Sequence, residues 1–160
     1  MSRSMRAAVL AAVLLVLGSA APVGVASAAS LGPVTVVVLR VASGESLGIM
    51  FGRSEETLRL DGIRIPPCMA AEATARVYGL AAGRAGLLDY DRTAYSAAGE
   101  LRGYLRVDGV VLNLVLVSEG YAVQAPGAPN ADFDLEVLAA QRAAQAERLG
   151  LWGRCPPAEG

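Results

Sequence analysis

The sequence predicts a mainly β fold with packed helices (α+β), a five-stranded Greek-key barrel of the OB type with about three helices against it. Three observations predict it. Short β-branched segments alternate with turn signals through the opening third of the exported part. One helix-forming stretch follows the third of them before extended structure resumes, and further helical segments close the chain.

The first strand is read in VTVVVLRV, Val34 to Val41, which ends at Ser43-Gly44. SLGIMF and ETLRLDGI are the second and third, joined by the polar turn Gly52-Arg53-Ser54-Glu55, and Pro66-Pro67 ends this meander. AAEATARVYGLAAG holds helix formers throughout and reaches a C-cap glycine at Gly83. AGLLDYD resumes extended structure, and LRGYLRVDGVVLN reads as a hairpin about Asp108-Gly109. LNLVLVSEGYA is a short apolar helix stopped by Gly120. PGAPN is a surface loop, and the last helix is expected from about Asp132 to Leu149, with an apolar stripe of Leu135, Leu138, Ala139, Ala146 and Leu149.

Residues 1–28 read as a secretory signal peptide. Arg3 and Arg6 precede the apolar run Ala7 to Leu17, and Ala26-Ser27-Ala28 is a small-x-small cleavage site, which places cleavage after Ala28. The run is shorter than the roughly 20 apolar residues that span a bilayer. One domain, residues 29–160, is therefore expected to be secreted and to have no membrane partner once the signal is removed.

The chain has fourteen basic residues, all arginine, against fifteen Asp and Glu, and no histidine. Two of those arginines leave with the signal, so twelve face fifteen carboxylates. An acidic balance without lysine disfavours nucleic acid as a partner, because affinity for a polyanion comes chiefly from basic contacts with phosphates. Cys68 and Cys155 both fall in the exported part, where an oxidising compartment favours one bridge between them. Two isolated cysteines without histidine do not complete a zinc site.

The order of pieces resembles the staphylococcal nuclease, or thermonuclease, family from Val34 to Trp152. The residues that carry the likeness are Gly44-Glu45-Ser46, LRLDGIRIPP at 58–67, DRTAYSAAGELRGYLRVDG at 91–109, VVLNLVLVSEGYA at 110–122 and LGLW at 149–152. The resemblance implies an OB-type barrel and phosphodiester hydrolysis with one calcium ion held by carboxylates, two arginines and a glutamate. The chemistry is consistent with that set. A hard cation takes oxygen ligands, arginines neutralise charge developing in the transition state, and a carboxylate activates water.

Position by position, the resemblance gives a degenerate site. Arg59 matches the first arginine and is retained. Glu45 stands at the first calcium carboxylate, one methylene longer, and Arg64 stands at the second, a cation in the cation's place. Pro67 replaces the glutamate. Glu100 falls at the second arginine when the chain is counted back from Asp108-Gly109, in a loop about two residues longer than the family's, and Arg102 lies two residues on along the same face. The replacements suggest two internal ion pairs, Glu45 with Arg64 and Arg59 with Glu100. Asp89 and Asp91, two apart on one strand, share a side and are read as a charged strand end rather than a metal pair. Tyr95 and Tyr121 are read as packing residues.

The resemblance with these replacements implies a thermonuclease-like protein with lost or strongly reduced calcium-dependent phosphodiesterase activity. It would serve as a non-catalytic binding module with no cofactor and an unnamed partner. The alternative is an active or altered nuclease that uses calcium on DNA or RNA. Arg59, Arg64, Arg102 and Arg106 gathered without carboxylates would favour an anion site, and paired charges would favour the inert reading.

Overall fold

The computed structural model describes residues 33–155 except 91, 126, 128 and 129. The signal peptide with its cleavage site at Ala28, and Asp91, lie outside the described residues.

Five strands close a barrel: β1 (Val34–Val41), β2 (Ser46–Phe51), β3 (Ser54–Leu60), β5 (Ala85–Asp89) and β6 (Leu101–Val107). They run in the order β3-β2-β1-β5-β6, and a parallel pairing of β3 with β6 joins the two ends. Closure leaves neither strand as a bare edge. Three two-residue pieces complete the extended structure: β4 (Ile63–Arg64), β7 (Val110–Val111) and β8 (Val123–Gln124). β4 pairs with β8, away from the barrel. The β6–β7 turn is Asp108-Gly109, and both residues have positive φ, 48° and 84°, as a tight two-residue hairpin requires.

Alternation along the strands sends one side chain in two inward. Val36 and Val38 of β1, Leu47 and Ile49 of β2, Leu58 and Leu60 of β3, Leu88 of β5 and Leu101, Leu105 and Val107 of β6 fill the interior. The β1–β2 register shifts between Val38 and Arg40, a bulge that increases local coiling. Three helices cover the barrel: α1 (Ala70–Ala81) through Ala73, Val77 and Ala81, α2 (Leu112–Ser118) through Leu112, Leu116 and Val117, and α3 (Asp134–Ala146) through Val137. A 3-10 turn at Pro67–Met69 leads into α1. Arg76 of α1 donates through Nε to Glu119 just beyond α2 at 2.7 Å, and that hydrogen bond raises the Arg76 pKa.

The last helix differs from the sequence expectation. It stops at Ala146, a separate single turn α4 spans Leu151–Arg154, and the buried stripe is Phe133, Val137, Ala140 and Ala144. Leu135, expected inside, is 80% exposed, and Ala139, Ala146 and Leu149 are also exposed. In a segment so rich in alanine, small apolar side chains occur on every face, so periodicity does not single out the packed one. The packing of this helix on α2 and β8 chooses it.

The segment around α4 is tied down at two places. Cys68 and Cys155 form a disulfide across 87 residues, with Cα atoms 6.0 Å apart, joining the 3-10 turn to the end of α4. Gly120, at φ 75°, meets Gly150, at φ 50°, so closely that a Cβ on Gly120 would lie 2.3 Å from the Leu149 carbonyl oxygen. The Leu151 N–H donates to the Gly120 carbonyl across this contact at 2.8 Å.

Candidate functional site

The β1–β2 turn carries Glu45. Ser43 Oγ accepts the backbone N–H groups of Glu45 and Ser46, at 3.3 and 3.1 Å, an ST-turn that fixes the tip. Gly44 lets that tip approach the segment after β4, since a Cβ there would stand 2.4 Å from Ile65 Cδ1 and 2.8 Å from Ala73 Cβ. Glu45 is thereby held beside two donors. Arg59 Nη2 donates to Glu45 Oε2 at 2.9 Å, and the Ile65 backbone N–H donates to Glu45 Oε1. The β2–β3 register explains the first contact, because Arg59 is paired with Ser46, the neighbour of Glu45.

The expected partners are therefore exchanged. Glu45 pairs with Arg59 and not with Arg64. Arg64 follows the buried Ile63 on β4, so alternation turns it outward, and among the described residues no ion pair to it is found. Glu100 does not reach Arg59. It stands 3.7 Å from Arg102 Nη1, at the end of a turn in which Ser96 Oγ accepts its backbone N–H. Arg59 and Glu100 nevertheless line one open groove of about 460 Å³ with Ser46, Glu55, Glu56 and Thr57. Pro67 opens the 3-10 turn, exposed and with no hydrogen to donate. Arg106 lies 3.9 Å from Asp89, which supports the reading of Asp89 as a charged strand end. Tyr121 packs against the core as expected, whereas Tyr95 is 42% exposed.

Among the described residues an extended polar network forms around Asp61 and Asn130. Asp61 is fully buried at the end of β3, and its Oδ1 takes Arg102 Nε at 3.0 Å and Nη2 at 2.8 Å. Its Oδ2 takes the Asn130 side-chain amide at 3.1 Å and the Asn130 backbone N–H at 3.3 Å. Asn130 in turn accepts the backbone N–H groups of Arg92 and Thr93 and donates to the Thr93 carbonyl, while Tyr104 Oη donates to the Asn130 carbonyl at 3.0 Å. Buried Asn113 bonds the Asp61 carbonyl at 2.8 Å and the Leu105 N–H at 3.2 Å. Five chain segments, at 61, 92–93, 102–105, 113 and 130, meet on this network. The available signal was two polar residues, Asp61 and Asn113, inside otherwise apolar runs.

These residues do not fit a calcium ion. Both oxygens of Glu45 are taken by Arg59 and Ile65, the Arg64 side chain brings a cation rather than an oxygen ligand, and Pro67 offers no side-chain ligand atom. Among the described residues no three Asp, Glu or Cys side chains gather as a metal-binding group.

A closed OB-type barrel with a charged cleft on its outer wall, built from the β1–β2 turn, β3 and the segment after β4, defines the class of this protein. Comparison with known proteins agrees: residues 57–154 match the family described as staphylococcal nuclease homologue, and the chain belongs to that family. It is also 27% identical over 127 residues to a thermonuclease of Staphylococcus intermedius, a match covering 74% of this chain and 76% of that protein.

Proposed function

We propose that this is an exported thermonuclease-like protein whose calcium-dependent phosphodiesterase activity is lost or strongly reduced, and that it acts as a non-catalytic binding module. The observation that carries this reading is the double engagement of Glu45. The retained arginine, Arg59, is neutralised by the residue that would otherwise hold the metal. Arg102 and Arg106 also face carboxylates, Asp61 and Asp89, so of the four arginines only the outward-facing Arg64 has no ion pair among the described residues, and the charges of the cleft are largely paired.

Removing one preorganised charge-stabilising group typically costs about 10²- to 10³-fold in rate. Here the second carboxylate, the glutamate and the second arginine are replaced at Arg64, Pro67 and Glu100. Such groups act as a unit, so their losses do not multiply, but loss of even two leaves little activity. The acidic balance of the exported chain disfavours a polyanion as the bound partner.

The test is cleavage of DNA and RNA by purified mature protein, with calcium, with other divalent ions and with chelator. The expected outcome is no chelator-sensitive cleavage. Robust calcium-dependent cleavage abolished by Arg59→Ala would overturn the reading and transfer the chemistry to Asp61, Asp89, Asp91 or Arg102. Export has its own check: N-terminal sequencing of secreted material should begin at Ala29, and a start at Met1 would refute cleavage.

A further inference from the structure

We propose that Glu45 is an internal anion filling an oxyanion cradle made by Arg59 and the Ile65 amide, so that this cleft carries its own pseudo-ligand and takes up a phosphate-type oxyanion only when that carboxylate is removed. The proposal concerns the regulation of the cleft described above, and it rests on the reading that the cleft is not a calcium site.

Two donors from different elements converge on one carboxylate: the Arg59 guanidinium from β3, at 2.9 Å, and the Ile65 backbone N–H just past β4. A guanidinium and a backbone amide aimed at the same small volume form a donor set that accepts carboxylate or phosphate oxygens equally well. The backbones that carry both donors are held by the fold whether or not Glu45 is there. Arg59 sits between Ser46 of β2 and Arg102 of β6 in the barrel wall. Ile65 follows a strand pinned by β8 and precedes two prolines, whose fixed φ restricts the backbone and biases residue 65 to an extended conformation.

Access points the same way. The Arg59 side chain is 44% exposed, so a solute reaches the guanidinium, whereas that of Glu45 is 13% exposed and lies on the inner side of the pair. As a tethered group Glu45 competes at an effective concentration on the order of millimolar or above, and it holds the donors against a dilute anion. Without it, Arg59 loses the carboxylate that engages its guanidinium, and an added anion competes only with the more distant groove carboxylates Glu55, Glu56 and Glu100, none of which is ion-paired to Arg59 among the described residues.

Titration of inorganic phosphate into the full exported chain, followed by calorimetry and by the Ile65 amide resonance, tests this. Glu45→Ala, which frees both donors, should bind phosphate at least about tenfold more tightly than the parent protein, with a saturable shift of the Ile65 amide. Arg59→Ala on that background should return binding to the parent level. Glu45→Gln keeps an acceptor for the Ile65 N–H and releases Arg59 alone. It should fall between parent and Glu45→Ala, and it carries the test by itself if Glu45→Ala loses its cooperative melting transition. A folded Glu45 variant that binds phosphate no more tightly than the parent, or whose binding survives Arg59→Ala, overturns the proposal. A nuclease-active parent protein would instead overturn the function proposed above and leave this titration standing.

Discussion

Arg102 holds the fully buried Asp61 with two nitrogens on one oxygen, Nε at 3.0 Å and Nη2 at 2.8 Å. The pair bridges β6 to the end of β3 beside their parallel junction, where the barrel closes. Removing one partner of a buried pair leaves an uncompensated charge and costs roughly 3 to 5 kcal/mol, more than the pair itself contributes. Because the Arg102 side chain is 20% exposed, water offsets part of that penalty. Arg102→Ala should therefore destabilise the protein by about 2 to 4 kcal/mol, read from the urea midpoint at unchanged slope. A change below about 0.5 kcal/mol, the range of ordinary surface substitutions, would show that the junction does not depend on this pair.

Gly120→Ala and Gly83→Ala separate two reasons for glycine. Both positions have positive φ, 75° and 72°, so each substitution carries the left-handed penalty of about 1 to 2 kcal/mol. At Gly83 a Cβ meets nothing within 4 Å, whereas at Gly120 it meets the Leu149 carbonyl at 2.3 Å. Thermal melts should show Gly120→Ala clearly less stable than Gly83→Ala. Equal losses would mean that the α2–α4 contact relaxes freely.

The disulfide should be a main source of stability. Closing a loop across 87 residues restricts the unfolded chain by about 4 to 5 kcal/mol in the chain-entropy model, an upper figure. Cys155→Ser, or reduction of the parent protein, should lower the melting temperature by many degrees. Unchanged melting on reduction would mean that α4 is held by Gly120 and Leu151 alone.

Repair of the cleft should need several residues at once. Arg64→Asp alone, Pro67→Glu alone and Glu100→Arg alone should each leave calcium-dependent cleavage undetectable. The three together, with Glu45→Asp to shorten the carboxylate that now reaches Arg59, should produce measurable cleavage of DNA, because the groups act as a unit. If one substitution sufficed, the remaining replacements would not be what disables the site.

Much of the architecture was legible in local sequence. Period-two alternation in VTVVVLRV, the Asp108-Gly109 turn and the stops at Gly83 and Gly120 are short-range signals, and each appears in the structure where its residues place it. The bridge between Cys68 and Cys155 was also legible, since two cysteines allow one pairing. The buried face of α3 was not, because its alanines look apolar all round and the face is chosen by α2 and β8, separate elements that periodicity within α3 does not report.

The ion pairs of the cleft show the same division. The sequence by itself determined which charges are present, Glu45, Arg59, Asp61, Arg64, Glu100 and Arg102 among them. Only the tertiary structure decided which charges meet. The β2–β3 register sets Arg59 beside Glu45 rather than Glu100, the pleat of β4 turns Arg64 away, and the β3–β6 junction delivers Arg102 to Asp61. A side chain reaches only a few ångströms, so its partner is set by which strands lie side by side, and that depends on how the whole barrel closes.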